Sequence, residues 1–177
     1  MVFTLVACGG EEKASEEENV KEINIAVSPD YPPYESLDTD GKTIVGFDAD
    51  MIALFPEYLN DGDTTYKFVW HSMSFENIVS QVQGGQVDIG VSGFTYDKSR
   101  KVAWSKPYTA TAQVAVVDKD SDIKTVKDLE GKTIAAQSGS TGEKAAKEIK
   151  NANVVSVTNV QEIFSSLTSK QYDAVVV

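Results

Sequence analysis

Gly84-Gly85-Gln86-Val87-Asp88-Ile89-Gly90-Val91-Ser92-Gly93-Phe94-Thr95 is the stretch whose reading decides the fold. The glycine pair stops a helix predicted over Phe75 to Val82, in which Ile78, Val79 and Val82 turn inward. Val87 to Val91 is then a short apolar strand that runs directly into small, hydroxyl-bearing residues. A buried strand that follows a helix and ends this way is a unit of an open α/β sheet, where ligands bind beyond the carboxyl ends of the strands.

Outward from this stretch the same alternation continues. Upstream, Ile23 to Val27 reads as a strand and Ser28-Pro29-Asp30-Tyr31-Pro32-Pro33 as a loop, because its prolines remove donors and fix φ. Thr43 to Gly46 is a short strand after the Asp40-Gly41 turn. Asp48 is the expected N-cap of a helix carrying Met51, Ile52, Leu54 and Phe55, which Pro56 kinks or ends, and Thr65 to Trp70 is a further strand. Downstream, Asp97 to Lys101 is a charged turn and Ala112 to Val117 a long apolar strand. Lys124 to Leu129 is a short helix, Thr133 to Ala136 a strand, Ser140 to Ile149 a helix, Val154 to Val157 a strand, Val160 to Leu167 a helix and Ala174 to Val177 a strand. The pattern predicts an α/β protein of parallel sheets covered by helices on both faces. The run stops on Val177 inside an apolar strand, which reads as a truncation.

Twenty-seven acidic against 16 basic residues give a formal net charge of −11, which leaves no basic surface for a phosphate backbone and excludes nucleic acid as a partner class. Much of the acidity sits early, in Glu11, Glu12, Glu16, Glu17, Glu18 and Glu22. Residues 9–22 therefore read as a solvated tether, too polar to order themselves by burial. Cys8 is the single cysteine, so no internal disulfide is expected. Leu5-Val6-Ala7-Cys8-Gly9 resembles a lipobox, with Cys8 as the lipidated residue and 1–8 as the remnant of a lipoprotein signal whose basic start is missing. After it, no stretch approaches the roughly 20 apolar residues that span a bilayer. His71 is the sole histidine and suggests no metal site, Trp70 and Trp104 read as core, and Glu35 and Asp48 as turn and cap groups.

Three stretches at predicted strand ends carry candidate chemistry. Tyr31 and Tyr34 on the proline-stiffened loop offer rigid aromatic walls at low entropic cost. Ser92, Gly93 and Thr95 present hydroxyls and close backbone, and Arg100 supplies a planar fork suited to a carboxylate, although alone it would read as a surface charge. Gln137-Ser138-Gly139-Ser140-Thr141-Gly142-Glu143 opens a helix with free N–H donors, and it lacks the Lys-Ser/Thr ending of a phosphate loop.

In this order the stretches resemble bacterial extracellular solute-binding proteins of family 3, the polar amino-acid-binding proteins of ABC importers. The resemblance runs from about Ile23 to the end. It rests on Tyr31-Pro32-Pro33-Tyr34-Glu35, Gly46-Phe47-Asp48, Gly85-Gln86-Val87-Asp88-Ile89 with Ser92-Gly93-Phe94-Thr95 and Arg100-Lys101, Ser105-Lys106-Pro107-Tyr108, Asp128-Leu129-Glu130-Gly131-Lys132, and Tyr172-Asp173-Ala174-Val175. It implies a two-lobed periplasmic-binding-protein-like fold of type II, truncated within the second lobe. The first lobe would take 23–111, lacking its C-terminal return segment, and an incomplete second lobe 112–177. By the same resemblance Tyr31 and Phe75 flank the ligand, Ser92, Gly93 and Thr95 hold its carboxylate and amino groups, Arg100 clamps the α-carboxylate, and Gln137, Ser140 and Thr141 reach across from the second lobe. Ser28 joins this set as a departure, since many relatives carry an acid there. A second departure is the aspartate for the α-amino group, which the family places just after the strand that here ends at Val177.

The function so implied is extracytoplasmic capture of a polar amino acid and its delivery to the membrane subunits of an importer. The protein would be a monomer without cofactor or metal, held to the membrane only through a lipid anchor on Cys8. Glutamine, cystine, histidine and basic amino acids all remain open as ligands. Two other classes compete. The same fold serves as a cyclohexadienyl or arogenate dehydratase, disfavoured because none of the named pocket positions is Asp, Glu or His. It also serves as the ligand-sensing lobe of a larger receptor or lytic transglycosylase.

Overall fold

A computed structural model describes residues 19–60 and 62–177. Cys8, with the lipobox around it, and the expected tether as far as residue 18 lie outside the described residues. Residues 19–22, expected to be tether, instead open the first strand, β1 (Asn19–Val27). Their side chains are exposed, and strand pairing rather than burial recruits them, with Asn19 to Glu22 in register with Thr64 to Lys67.

β1 is the middle strand of a parallel sheet. β5 (Thr64–Ser72) flanks it on one edge and β6 (Ile89–Gly90) on the other. Ile25 and Ala26 point to opposite faces, as alternation requires, and each face is covered. On one side Ile25 and Val91 pack with Ile52 of helix α1 (Phe47–Ala53) and with Phe55, the first residue of α2 (Phe55–Leu59). On the other, Ala26 and Val87 pack with Phe75 and Ile78 of α3 (Phe75–Gln83). Pro56 acts as expected, separating α1 from α2 and lying where a helix tolerates the missing N–H.

The connection from β1 to α1 contains a small antiparallel sheet that the sequence reading had as loop and a single strand. It consists of β2 (Asp30–Tyr31), β3 (Glu35–Leu37) and β4 (Ile44–Val45). Asp48 does not cap α1. The cap position is Gly46, at φ 120°, where a Cβ would meet the Tyr34 carbonyl oxygen at 2.5 Å. Asp48 sits inside the first turn, fully buried, as is Glu35.

A second sheet has the order β7 (Ala115–Val116), β10 (Ala174–Val176), β8 (Thr133–Gln137), β9 (Asn153–Val157). Its last three strands are parallel. β7 is antiparallel to β10, a correction to the all-parallel expectation, and it is far shorter than the predicted Ala112 to Val117. Helix α4 (Thr141–Lys147) covers the Ile134, Ala174 and Val176 face, and α5 (Val160–Thr168) the Ala135 and Val175 face. The helix predicted near residue 124 is a short 3-10 helix at Val126–Leu129. Leu129 drops into the α4-side core.

Glu35 and Asp48 are thus a buried carboxyl pair rather than turn and cap groups. Glu35 Oε2 and both Asp48 oxygens are shut away from solvent without a well-formed hydrogen bond. Burial pushes the Glu35 carboxyl up to about 8, against the Ser92 and Gly93 hydrogen bonds that pull it down, and the Asp48 charge raises it further. Burial also raises Asp48, and burial followed by Asp48 raises the Tyr108 hydroxyl beside it. Two like charges so placed do not ionise together, so the pair retains a proton that supplies the missing donor.

Two predictions follow from this packing. Because Glu35 titrates above its ordinary 4.5 in the folded chain, its contribution to stability is complete below about 4.5 and is lost as pH rises through about 8. The Tm should fall between pH 5 and pH 9, and Glu35→Gln should flatten that slope. Thermal unfolding across the range reads both. Ile163, at 0% exposure between α5 and the second sheet, should lose about 2–5 kcal/mol on truncation to Ala, read by urea unfolding.

Candidate functional site

All three predicted binding stretches leave the carboxyl ends of parallel strands. β1 runs into Ser28 to Tyr34, β6 into Ser92 to Thr95, and β8 into Gln137 to Thr141. They converge on a cavity of about 1110 Å³ between the two sheets. Tyr31, Phe75, Ser92, Gly93, Thr95, Gln137, Ser140 and Thr141 border it, whereas Ser28 and Arg100 do not.

Close packing fixes the first wall. The Tyr31 ring lies flat against Tyr34, with centroids 5.8 Å apart, and covers Gly93 so closely that a Cβ there would sit 3.1 Å from the ring. Ser92 Oγ donates to Glu35 Oε1 at 2.5 Å, and Gly93 N donates to the same oxygen at 2.9 Å. One buried carboxyl therefore sets both the hydroxyl and the backbone of this loop. Phe75 is buried and stacks on Phe94 at 4.4 Å, and Phe94 in turn meets the Trp104 ring edge-on.

Arg100 lies over that aromatic pair, its guanidinium carbon 5.6 Å from the Phe75 ring centre and 5.1 Å from Phe94. Nη1 donates to the Thr95 carbonyl at 3.2 Å and Nη2 to the Gly139 carbonyl at 2.8 Å. The fork therefore bridges the Ser92 to Thr95 loop and the Gln137 to Thr141 loop, on the edge of a smaller cleft of about 520 Å³ that Ser140 also borders. Burial lowers its pKa, opposed by the nearby charge of Asp97, yet a guanidinium remains charged.

On the second sheet Ser140 caps α4 by accepting from Glu143 N at 3.0 Å, so its hydroxyl serves the helix. Gly139 is needed where it stands. Its φ is 73°, and a Cβ would lie 3.0 Å from the Glu76 Cβ of α3. Asp97 and Lys144 add an ion pair across the same seam at 3.1 Å, and the Ser99 backbone together with Lys144 holds the Asp97 carboxyl well below the usual range.

The sequence reading missed three acids on this cavity. Asp30, Glu35 and Asp88 all border it, so acids stand beside the named pocket positions, none of which is acidic. Asp30 is 5% exposed and accepts from Ser28 Oγ at 2.9 Å, from Gln137 Nε2 at 3.1 Å and from Val160 N at 2.8 Å. These contacts also explain Ser28, whose hydroxyl turns to Asp30 rather than into the cavity. The proline-rich loop masked the signal, because nothing local marks which acid folds inward. His71, on β5, bonds Asn24 at 2.8 Å and stands apart from the cavity. Among the described residues no group of acids, His or Cys is arranged to hold a metal ion, and no helix is long and apolar enough to cross a membrane.

Known proteins share this fold. The arginine-binding extracellular protein ArtP of Bacillus subtilis is 29% identical over 182 residues, covering 100% of this chain and 68% of ArtP. The holo form of ArgBP from T. maritima superposes with a TM-score of 0.77 at 36% identity, covering 88% of this chain and 68% of that one. An ancestral amino-acid-binding protein described as a precursor of cyclohexadienyl dehydratase gives a TM-score of 0.77 at 32% identity, over 88% and 69% of the two chains. This chain thus spans about two thirds of the length of such relatives. Residues 23–153 match the family described as bacterial extracellular solute-binding proteins, family 3. With the two sheets, the strand-end cavity and these matches in agreement, the chain belongs to the bacterial extracellular solute-binding proteins of family 3.

Proposed function

We propose that the protein captures a polar α-amino acid outside the cytoplasm and delivers it to an ABC importer by closing its lobes. The observation that carries this reading is the convergence of three strand-end loops, from two separate sheets, on one cavity. A ligand held by loops on both sheets binds the closed arrangement better than the open one, which is what couples capture to closure. Arginine and histidine are the first ligands to test, because relatives are named for binding them.

In this reading Tyr31 and Phe75 wall the ligand, with Ser28 set behind them. Ser92, Gly93, Thr95, Gln137, Ser140 and Thr141 offer polar contacts, and Arg100 receives the α-carboxylate. The carboxylate would take Nη2 from the Gly139 carbonyl, exchanging a neutral acceptor for a charged one. Cys8 is the proposed lipid anchor, residues 9–18 the spacer, 23–111 the first lobe and 112–177 the second, and the protein acts as a monomer.

We read the protein as a binding protein rather than an enzyme. The three acids that border the cavity are committed to protein donors, Asp30 to three groups, Glu35 Oε1 to two and Asp88 Oδ2 to the backbone and side-chain nitrogens of Asn24, which suits positioning better than proton transfer to a substrate. Formation of aromatic product from prephenate or arogenate would favour the dehydratase reading instead.

Titration calorimetry of the full-length protein against the common amino acids should show binding to at least one, and silence with all of them would overturn the proposal. Arg100→Ala should cost about 2–5 kcal/mol of binding, roughly 30-fold to several thousand-fold in Kd. An unchanged Kd would remove Arg100 from the carboxylate role.

A further inference from the structure

We infer that Asp30 is the positioning residue of lobe closure, tying the loop that carries Tyr31 to the second sheet and setting how long a ligand is held. The inference rests on the capture reading, but one of its measurements does not need a ligand.

The geometry is specific. Asp30 Oδ2 accepts from Val160 N at 2.8 Å and from Gln137 Nε2 at 3.1 Å, while Oδ1 accepts from Ser28 Oγ at 2.9 Å. Two of these three donors belong to the second sheet and its helix, 107 and 130 positions along the chain. A carboxylate with 5% exposure is tolerable only with such donors.

The Val160 contact completes a helix end. The first N–H groups of a helix lack partners within it. On α5 the Asn159 side chain accepts from Gln161 N and Glu162 N, and Asp30, from the other sheet, takes Val160 N. Its negative charge also suits the positive end of the helix. Gln137 Nε2 reaches the Thr158 carbonyl too, so one amide joins the β8 end, the start of α5 and Asp30.

When the lobes part, each of these groups faces water and is solvated separately. The two bonds from Gln137 and Val160 N therefore favour the closed arrangement without contributing to the fold of either lobe. Tyr31 is the next residue in the chain, so the same bonds hold the ligand wall in place.

The test uses the full-length protein with Cys8→Ser, Glu57→Cys and Glu130→Cys, spin-labelled at the two exposed new cysteines, one on each lobe. Pulsed dipolar distances are measured without ligand and with saturating arginine, and arginine release is followed by stopped flow. Asp30→Ala should move the distance distribution toward wider separations and raise koff about tenfold or more. The Tm of the unliganded protein should stay within about 2 °C of the parent, since a solvated Asp30 supports no lobe fold. Adding Gln137→Ala to Asp30→Ala should widen the unliganded distances little further, because the two share a bond.

An unchanged distance distribution with unchanged koff would overturn the inference, as would a fall in unliganded Tm matching the loss of affinity, or additive effects of the two substitutions on the unliganded distances. If the parent protein does not bind arginine, the capture reading fails for that ligand, and the unliganded distances alone decide the role of Asp30.

Discussion

Strand β1 is the constraint on which the rest of the molecule depends. It is hydrogen-bonded on both edges, and its last three residues, Ile25, Ala26 and Val27, are wholly excluded from solvent. A parallel strand in this position has no free edge and no exposed face, so its direction is fixed by its neighbours and by the helices above and below. Where it ends, the chain must turn into the space between the sheets. Ser28, Asp30 and Tyr31 reach the cavity region because β1 delivers them there, at the same end from which β6 delivers Ser92 and Gly93.

From that placement one buried carboxyl organises the near wall. Glu35 can accept from both Ser92 and Gly93 only because β3 pairs with β2 and brings it under the loop that follows β6. Its neighbour Asp48 is brought close by the tight entry to α1 at Gly46, where the Pro33 and Tyr34 carbonyls accept from Phe47 N and Asp48 N. Burying two acids together is costly, and a shared proton lowers that cost. This side of the cavity is thus referenced to a polar core rather than to loop packing alone.

The apolar periodicity of the chain made the two sheets and most helices legible, since Ile25, Ile134 and Val175 can satisfy their surfaces only inside a covered sheet. The strand-end loops were legible for the same reason, as small polar residues follow each run. Other features were not. Asp30 and Glu35 look like ordinary loop acids, and apart from Ser28 the partners that fix them lie 57 to 130 positions away, which no local pattern encodes. Residues 19–22 looked too polar to be ordered, yet backbone pairing to β5 recruits them without burying their side chains. β7 was overextended because apolar content was read as strand, whereas the antiparallel pairing to β10 covers only Ala115 and Val116.

The seam between the lobes differs in kind from the interior of each. Within a lobe the core clusters are built on buried Ile, Val, Leu, Ala and Phe side chains that have no solvated alternative. Across the seam they are Asp30 with Gln137 and Val160 N, Arg100 with the Gly139 carbonyl, and Asp97 with Lys144. Apolar surface resists exposure at about 25 cal/mol per Å², so an apolar seam would fuse the lobes. Polar groups exchange protein partners for water at small net cost, typically about 1 kcal/mol per hydrogen bond. In the proposed capture cycle such a seam would let open and closed arrangements lie close in free energy, so that a ligand of modest size decides between them.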